Sequence, residues 1–96
     1  MATYMIFLRE GAIVDHDAMA EYQAGNRESA PPPGLEPLVV YGEMETLEGD
    51  AADGMVILKF PDRASAKAWY HGDDYQSRIP ARQKAAHYRA FMVEGL

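Results

Sequence analysis

Three strand-like segments of this 96-residue chain are apolar on both of their faces, and this feature limits its possible folds more than any other. Between Thr3 and Arg9, positions 4, 6 and 8 point to one face and positions 5 and 7 to the other, and all five are apolar or aromatic. Residues 55–60 and 88–93 repeat this double pattern. Strands with two apolar faces are normally covered on both. The sheet that they form therefore needs a layer on each side.

The order of the predicted elements indicates the fold. Strands are predicted at 3–9, 38–41, 55–60 and 87–93, and the second either bends at Gly42 or continues toward residues 46–47. Apolar spacing after Asp15 predicts a helix over 16–28, and Asp62 can cap a second helical region. Gly72 interrupts that region, and Pro80 either breaks it or restarts it. The order β-α-β-β-α-β predicts an α+β ferredoxin-like plait, with a four-stranded antiparallel sheet and both helical regions on one face.

The face of the sheet that the helices leave open predicts a partner. An exposed apolar face of that size is unusual for a monomer. Two copies that pack sheet against sheet would bury it symmetrically. The sequence therefore predicts a homodimer through the sheet face. The alternative is a monomer in which loops fold across that face.

Composition excludes several classes of function. The length fits one domain over residues 1–96. Nine basic and fifteen acidic residues give a net charge of −6, which is unsuited to binding nucleic acid. The absence of cysteine excludes disulfides and thiol catalysis. No apolar run approaches the roughly 20 residues that span a membrane, and the first residues lack the features of a signal peptide. We therefore expect a cytoplasmic protein that does not bind membranes.

A basic segment suggests where a ligand would bind. All charged residues from 78 to 89 are basic, although the chain as a whole is acidic. Arg78 and Arg82 are four positions apart, so they share a helix face if Pro80 leaves the helix intact. Because a guanidinium fork matches a carboxylate, both arginines are candidates for binding a small organic acid. The alternative is pairing, within the chain or across a dimer, with the acidic residues Glu43, Glu45 and Glu48.

Aromatic and titratable residues supply the other candidates. Trp69 and Tyr75 are candidates for lining a pocket, and the alternative is that they pack in the core. Glu48, Tyr75 and His87 are candidates for proton transfer, and the alternative for His87 is a structural or exposed position. The three histidines are not spaced as metal ligands, and no nucleotide fingerprint occurs. The sequence predicts no metal and no cofactor.

Several short motifs together resemble a known family. These motifs are Leu47-Glu48-Gly49-Asp50, Phe60-Pro61, Trp69-Tyr70 followed by Tyr75-Gln76, Arg82, and Val93-Glu94-Gly95. Their order and spacing resemble the uncharacterised family called domain of unknown function 1330, over nearly the whole chain. The proline-rich loop at 31–33 departs from the family pattern, since relatives often carry a glycine pair before the second strand.

The resemblance implies a dimeric α+β barrel, in which two ferredoxin-like protomers pack their sheets face to face. That superfamily includes cofactor-independent monooxygenases, haem enzymes, isomerases and proteins with no known activity. We therefore expect a cofactor-independent enzyme that acts on a small polar or carboxylate-bearing metabolite, with its pocket between the helices and the sheet. The alternative is a non-catalytic dimer that binds a metabolite or serves as an accessory protein. A pocket with convergent polar groups and a perturbed titratable residue would favour the enzyme.

Overall fold

Helices cover one face of a four-stranded antiparallel sheet in this protein, for which a computed structural model describes all residues from 1 to 96. The strands are β1 (Thr3–Arg9), β2 (Glu36–Val40), β3 (Gly54–Phe60) and β4 (Tyr88–Glu94). The helices are α1 (His16–Glu28), α2 (Arg63–His71), α3 (Asp73–Gln76) and α4 (Ile79–Ala85). The spatial order is β2-β3-β1-β4, and all neighbours are antiparallel. The predicted ferredoxin-like α+β fold is confirmed.

The two faces of the sheet are covered differently. Phe7 of β1 points toward the helices and is almost fully buried. Ile6 points to the opposite face, where it pairs with Ile57 of β3 and Phe91 of β4. Val39 of β2 pairs with Ile57 and extends this line of side chains. An apolar row therefore crosses all four strands on the open face.

Helix α1 begins and ends where its sequence predicts. The Asp15 side chain accepts a hydrogen bond of 2.9 Å from the Ala18 backbone N–H, which caps the first turn. The helix ends at Glu28, shortly before three consecutive prolines that lack the N–H groups needed to continue it. None of the four helices is long and apolar enough to cross a membrane.

The second helical region consists of three short helices. Asp62 accepts from the Ser65 backbone N–H at 2.7 Å and so starts α2. Gly72 adopts an extended conformation that separates α2 from α3. Pro80 lies in the first turn of α4, where a missing N–H is harmless. Of the two alternatives for Pro80, the structure therefore shows the restart.

Strand β2 ends earlier than the longer of its two predicted alternatives. Tyr41 has a backbone φ of +53°, in the left-handed region, and this turns the chain away from the sheet. Residues 41–53 contain no further strand and are almost entirely exposed. The predicted extension of this strand toward Thr46 and Leu47 is wrong, because the chain leaves the sheet at Tyr41 before it reaches them.

The two helix caps predict how stability responds to acid. A backbone hydrogen bond from Ala18 lowers the pKa of Asp15, and one from Ser65 lowers the pKa of Asp62, below the ordinary value of 3.8. Such carboxylates stabilise the fold above their unfolded pKa, and this contribution disappears as the pH falls through the folded value. We expect the melting temperature to decline below about pH 4. The Asp62→Asn variant retains a good capping residue, so its decline should be shallower in thermal scans. An identical decline would contradict a role for Asp62.

Candidate functional site

A cavity of about 370 Å³ lies between the helices and the sheet. Phe7, Val56 and Leu58 line it from the helix-facing side of the sheet, while Tyr22 of α1 and Tyr75 of α3 line it from the helices. Eleven of its seventeen lining residues are hydrophobic. This size and character are typical of a site for a small organic molecule.

The proline-rich connection between α1 and β2 forms part of the wall. Ser29, Ala30, Pro31 and Leu35 all contact the cavity. Because each proline fixes its own φ, the run of three restricts the conformations open to this part of the wall. The segment in which the sequence departs from the family pattern therefore contributes to the shape of the cavity.

A buried pair of tyrosine hydroxyls lies in the wall. The hydroxyl oxygens of Tyr22 and Tyr75 are 2.7 Å apart, and Arg82 Nη1 donates to the Tyr75 oxygen at 3.1 Å. Two tyrosines carry two hydroxyl hydrogens, and their mutual hydrogen bond uses one. Arg82 donates a hydrogen of its own. Whichever way the tyrosine pair is oriented, one O–H therefore remains available as a donor.

A second pair of tyrosine hydroxyls lies at the ends of two strands, after β2 and at the start of β4. The Tyr41 and Tyr88 oxygens are 2.8 Å apart, and both residues line the cavity. By the same count, this pair also retains one O–H donor. The cavity wall therefore contains two pairs of tyrosine hydroxyls, each with one donor to spare.

Tyr75 and Tyr41, one from each pair, remain protonated at neutral pH. Burial raises the pKa of the Tyr75 hydroxyl well above its usual range, the Tyr22 hydroxyl raises it further, and Arg82 partly opposes both effects. Burial and the hydrogen bond with Tyr88 likewise raise the pKa of Tyr41. Such groups act as hydrogen-bond donors rather than as bases.

Arg78 supplies a fixed positive charge to the wall. Its Nε donates to Asn26 Oδ1 at 2.9 Å, and its Nη1 donates to Ser29 Oγ at 2.6 Å. Nη1 also lies 3.0 Å from Asp74 Oδ1, and the hydrogen bond from Arg78 lowers the pKa of that carboxyl. The protein provides no partner for Nη2. Arg78 therefore lines the cavity with one of its donor groups uncommitted.

A glycine in α1 allows Arg78 to occupy this position. A Cβ at Gly25 would lie 2.6 Å from Arg78 Cδ, which is closer than carbon atoms approach. Glycine weakens the interior of a helix, so its presence at this position agrees with a need for close packing. Gly25 followed by Asn26 is thus a signal in the sequence for the Arg78 site.

Arg82 lies behind the cavity wall rather than on it. It is 5% exposed, and its guanidinium packs against the rings of Phe7 and Tyr88. No carboxylate lies within ion-pairing distance, and its Nε has no hydrogen-bond partner. Within the chain, neither arginine pairs with the acidic residues proposed as alternatives, Glu43, Glu45 and Glu48.

The other predicted site residues divide between the cavity and the surface. Trp69 and Tyr75 both line the cavity, with ring centroids 4.3 Å apart. Glu48 is exposed in the 41–53 segment and does not line the cavity. His87 is exposed just before β4 and is in register with Phe91, on the open face of the sheet. The cavity lining contains no aspartate, glutamate or histidine. Nowhere do three such residues come close enough to hold a metal ion.

Three tyrosines of the site were not identified from the sequence. Tyr22 fits the apolar stripe of α1, and only the need of a buried hydroxyl for a partner marks it as polar. Tyr88 belongs to the alternating pattern of β4. Tyr41 follows the end of β2, and no local signal places it on the cavity.

Comparison with known proteins finds a family and a set of similar folds. The family described as Domain of unknown function (DUF1330) matches residues 2–96. No curated protein matches the sequence.

Solved structures share the fold at low sequence identity. A dimeric ferredoxin-like protein of unknown function from Jannaschia sp. CCS1 is 18% identical, with a TM-score of 0.73 over 99% of this chain and 100% of that one. An ethyl tert-butyl ether d (ethd) family protein from Bacillus halodurans is 17% identical, with a TM-score of 0.64 over 100% of both chains. SnoaB, a cofactor-independent oxygenase from Streptomyces nogalater, is 11% identical, with a TM-score of 0.54 over 99% of this chain and 91% of that one.

Proposed function

We propose that this chain, which belongs to the family described as domain of unknown function 1330, binds a small organic acid with an apolar portion in its cavity. The family description states no activity, so the proposal is made from the residues of the cavity. The observation that carries this proposal is the kind of polar group on the wall. Arg78 Nη2 and one hydroxyl from each tyrosine pair are donors for which the chain supplies no acceptor. A carboxylate offers two acceptor oxygens and the opposite charge.

The rest of the cavity fits the apolar part of such a ligand. Phe7, Val56 and Leu58 offer an apolar surface, and the Trp69 ring borders the same space. Flat apolar groups gain free energy when they leave water for such a surface. The ligand that these residues favour is therefore a monocarboxylate that carries a ring or a branched chain.

A second candidate function is a cofactor-independent enzyme that acts on the same acid. It is favoured by the buried hydroxyl of Tyr75, which is fixed by Tyr22 and Arg82. Fixed donors stabilise negative charge that develops on a substrate oxygen. SnoaB is described as a cofactor-independent oxygenase, and its fold supports such chemistry here by analogy alone. Glu48 and His87 have no part in this proposal because neither lines the cavity.

We also propose that the functional unit is a homodimer formed through the open face of the sheet. The apolar row of Val39, Ile57, Ile6 and Phe91 supports this assembly. Phe91 is 43% exposed and Val93 is 48% exposed, so no loop of the chain covers this part of the face. Three similar structures, including those from Jannaschia and Thermobifida fusca, are described as dimeric.

The Arg78→Met variant tests the proposed binding site. Phenylacetate is a suitable probe, and its binding can be followed through the fluorescence of Trp69, the chain's one tryptophan. Removing one partner of a buried charge pair typically costs about 2 kcal/mol or more. We therefore expect the variant to bind phenylacetate at least roughly 30-fold more weakly.

Two controls accompany this measurement. Arg27→Met removes the same charge from an exposed position in the last turn of α1, and it should leave binding unchanged. Phenylacetamide has the same shape without the charge, so Arg78→Met should weaken its binding far less. Equal phenylacetate affinity in the native protein and in Arg78→Met would contradict the role of Arg78. Failure of the native protein to bind any ring-bearing monocarboxylate would contradict the proposed function.

Hydrogen exchange distinguishes binding from catalysis. Phenylpyruvate in D2O exchanges its methylene hydrogens when water takes one as a proton and leaves an enolate, whose oxygen the free tyrosine hydroxyl would stabilise. The same carbon then takes up a deuteron from D2O. Exchange that the protein accelerates, and that the double variant Tyr22→Phe/Tyr75→Phe slows at saturating phenylpyruvate, would support the enzyme. Binding with exchange at the rate of buffer alone would support the non-catalytic function.

A further inference from the structure

We infer that Arg82, which does not touch the cavity, makes the cavity selective for anions by placing an uncompensated positive charge directly behind its wall. Arg82 is thus a specificity-determining residue. This inference rests on the proposed acid-binding function for the kind of ligand, and it adds a second source of the charge preference beside Arg78.

The first observation is that the charge of Arg82 has no counter-charge. Of the two buried arginines, Arg78 forms an ion pair with Asp74, whereas Arg82 forms none. Its one side-chain hydrogen bond goes to the neutral hydroxyl of Tyr75. The raised pKa of Tyr75 means that this hydroxyl supplies no negative charge at neutral pH.

The second observation is the position of the guanidinium relative to the cavity. Its Cζ lies 5.5 Å from the ring centroid of Phe7 and 5.6 Å from that of Tyr88. Its Nη1 reaches the Tyr75 oxygen at 3.1 Å. Phe7, Tyr75 and Tyr88 all line the cavity, whereas Arg82 does not. A single layer of aromatic side chains therefore separates the charge from the ligand space.

Such a layer screens the electrostatic field of Arg82 only weakly. Electrostatic interactions within a protein are much stronger than in water, because few mobile dipoles or ions lie between the charges. The aromatic faces stabilise the cation in part but leave its net charge unchanged. An anion in the cavity would therefore be attracted through the wall, and a neutral molecule of the same shape would not.

The free-energy cost of burying Arg82 also favours a functional role for its charge. A buried charge without an ionic partner is unfavourable for folding, and an apolar side chain of similar volume would usually fill such a place at lower cost. The chain as a whole carries a net charge of −6, which repels anions at long range. A local positive centre behind the cavity opposes that repulsion at the point where an acid would bind.

Quenching of Trp69 fluorescence tests this inference without any assumption about the natural ligand. Trp69 is the one tryptophan of the chain and lines the cavity. Iodide is an anionic quencher and acrylamide a neutral one. We expect the ratio of the iodide to the acrylamide quenching constant to fall at least twofold in Arg82→Gln, which loses the charge but can still donate to Tyr75. In Arg82→Lys, which retains a positive charge, the ratio should stay near the native value.

A matched control and a measurement on the native chain complete the test. Arg27→Gln makes the same chemical change at an exposed position, and it should leave the ratio unchanged. If Arg82→Gln does not fold, the native chain and Arg78→Met, which removes the other positive charge of the wall, together provide the test. Relative to free N-acetyltryptophanamide, Trp69 should be more accessible to iodide than to caesium in both, despite the acidic surface.

The outcomes separate this inference from the proposed function. A native ratio in folded Arg82→Gln, or access for caesium at least equal to that for iodide in Arg78→Met, would overturn the inference even if phenylacetate binds. A reduced ratio in Arg82→Gln would support the role of Arg82 even if phenylacetate does not bind, and would then place the error in the proposed ligand.

Discussion

Replacing Ile6 with aspartate is expected to convert the proposed homodimer into a monomer. Ile6 lies in the apolar row on the open face, between Ile57 of β3 and Phe91 of β4. Sheet-to-sheet packing would bury the new carboxylate, and the two-fold symmetry would bring two copies of it into the same interface. Burying an unpaired ion costs several kcal/mol even after the protein relaxes. We therefore expect the dimer dissociation constant to rise by at least roughly 100-fold.

Sedimentation equilibrium of both proteins over the same range of concentrations measures this change. Val14→Asp is a matched control, because Val14 is 79% exposed and precedes α1, away from the sheet. It introduces the same charge and should leave the dimer intact. Circular dichroism checks that Ile6→Asp remains folded. A folded Ile6→Asp that still sediments as a dimer would show that the interface lies elsewhere.

The regular elements were predictable because their signals are local. The alternation of side chains between the two faces of β1 can be recognised from neighbouring residues alone, and the predicted strand at 3–9 coincides with the observed one. The bounds of α1 follow from the capping side chain of Asp15 and from the prolines after Ser29. Pro80 was ambiguous, because a proline permits a helix start and prevents continuation equally well.

The end of β2 was less predictable for a physical reason. Of Tyr41 and Gly42, the glycine is the residue expected to take a positive φ, but Tyr41 takes it. Its ring lies against Gly54 of β3, where a Cβ would come within 2.8 Å of Tyr41 Cδ1. A contact with a residue thirteen positions away therefore determines the turn, and local propensity does not report it.

The candidate site was likewise predictable from the sequence only in part. Trp69, Tyr75 and Arg78 were identified from residue type and spacing, and all three line the cavity. Spacing did not separate Arg78 from Arg82, because both lie on the same side of the helical region. Their surroundings differ through tertiary packing alone: Arg78 faces Gly25 of α1, whereas Arg82 is enclosed by aromatic rings next to the sheet.

The Phe60→Ala variant is expected to lose a large share of the stability of the fold. Phe60 is 1% exposed at the end of β3, and its ring centroid lies 5.5 Å from that of Trp69. Truncating a buried phenylalanine typically costs about 3–5 kcal/mol, because transfer free energy is lost and a void remains. Domains of this size are stable by only about 5–15 kcal/mol. The variant should therefore unfold at a much lower concentration of urea.

Urea unfolding followed by circular dichroism measures this loss. Trp69 fluorescence is a less suitable signal, because removing the Phe60 ring changes the surroundings of Trp69 even in the folded state. Protein concentrations must be matched, since dimerisation would add to the apparent stability. Leu47→Ala is the control: Leu47 is 84% exposed, so its free energy of unfolding should change by less than about 0.5 kcal/mol. A loss below about 1 kcal/mol in Phe60→Ala would contradict a well-packed core at this position. Trp69 packs against Phe60 and also lines the cavity. A loss in the expected range would therefore show that Phe60, which supports Trp69 in the cavity wall, is also part of the packed core.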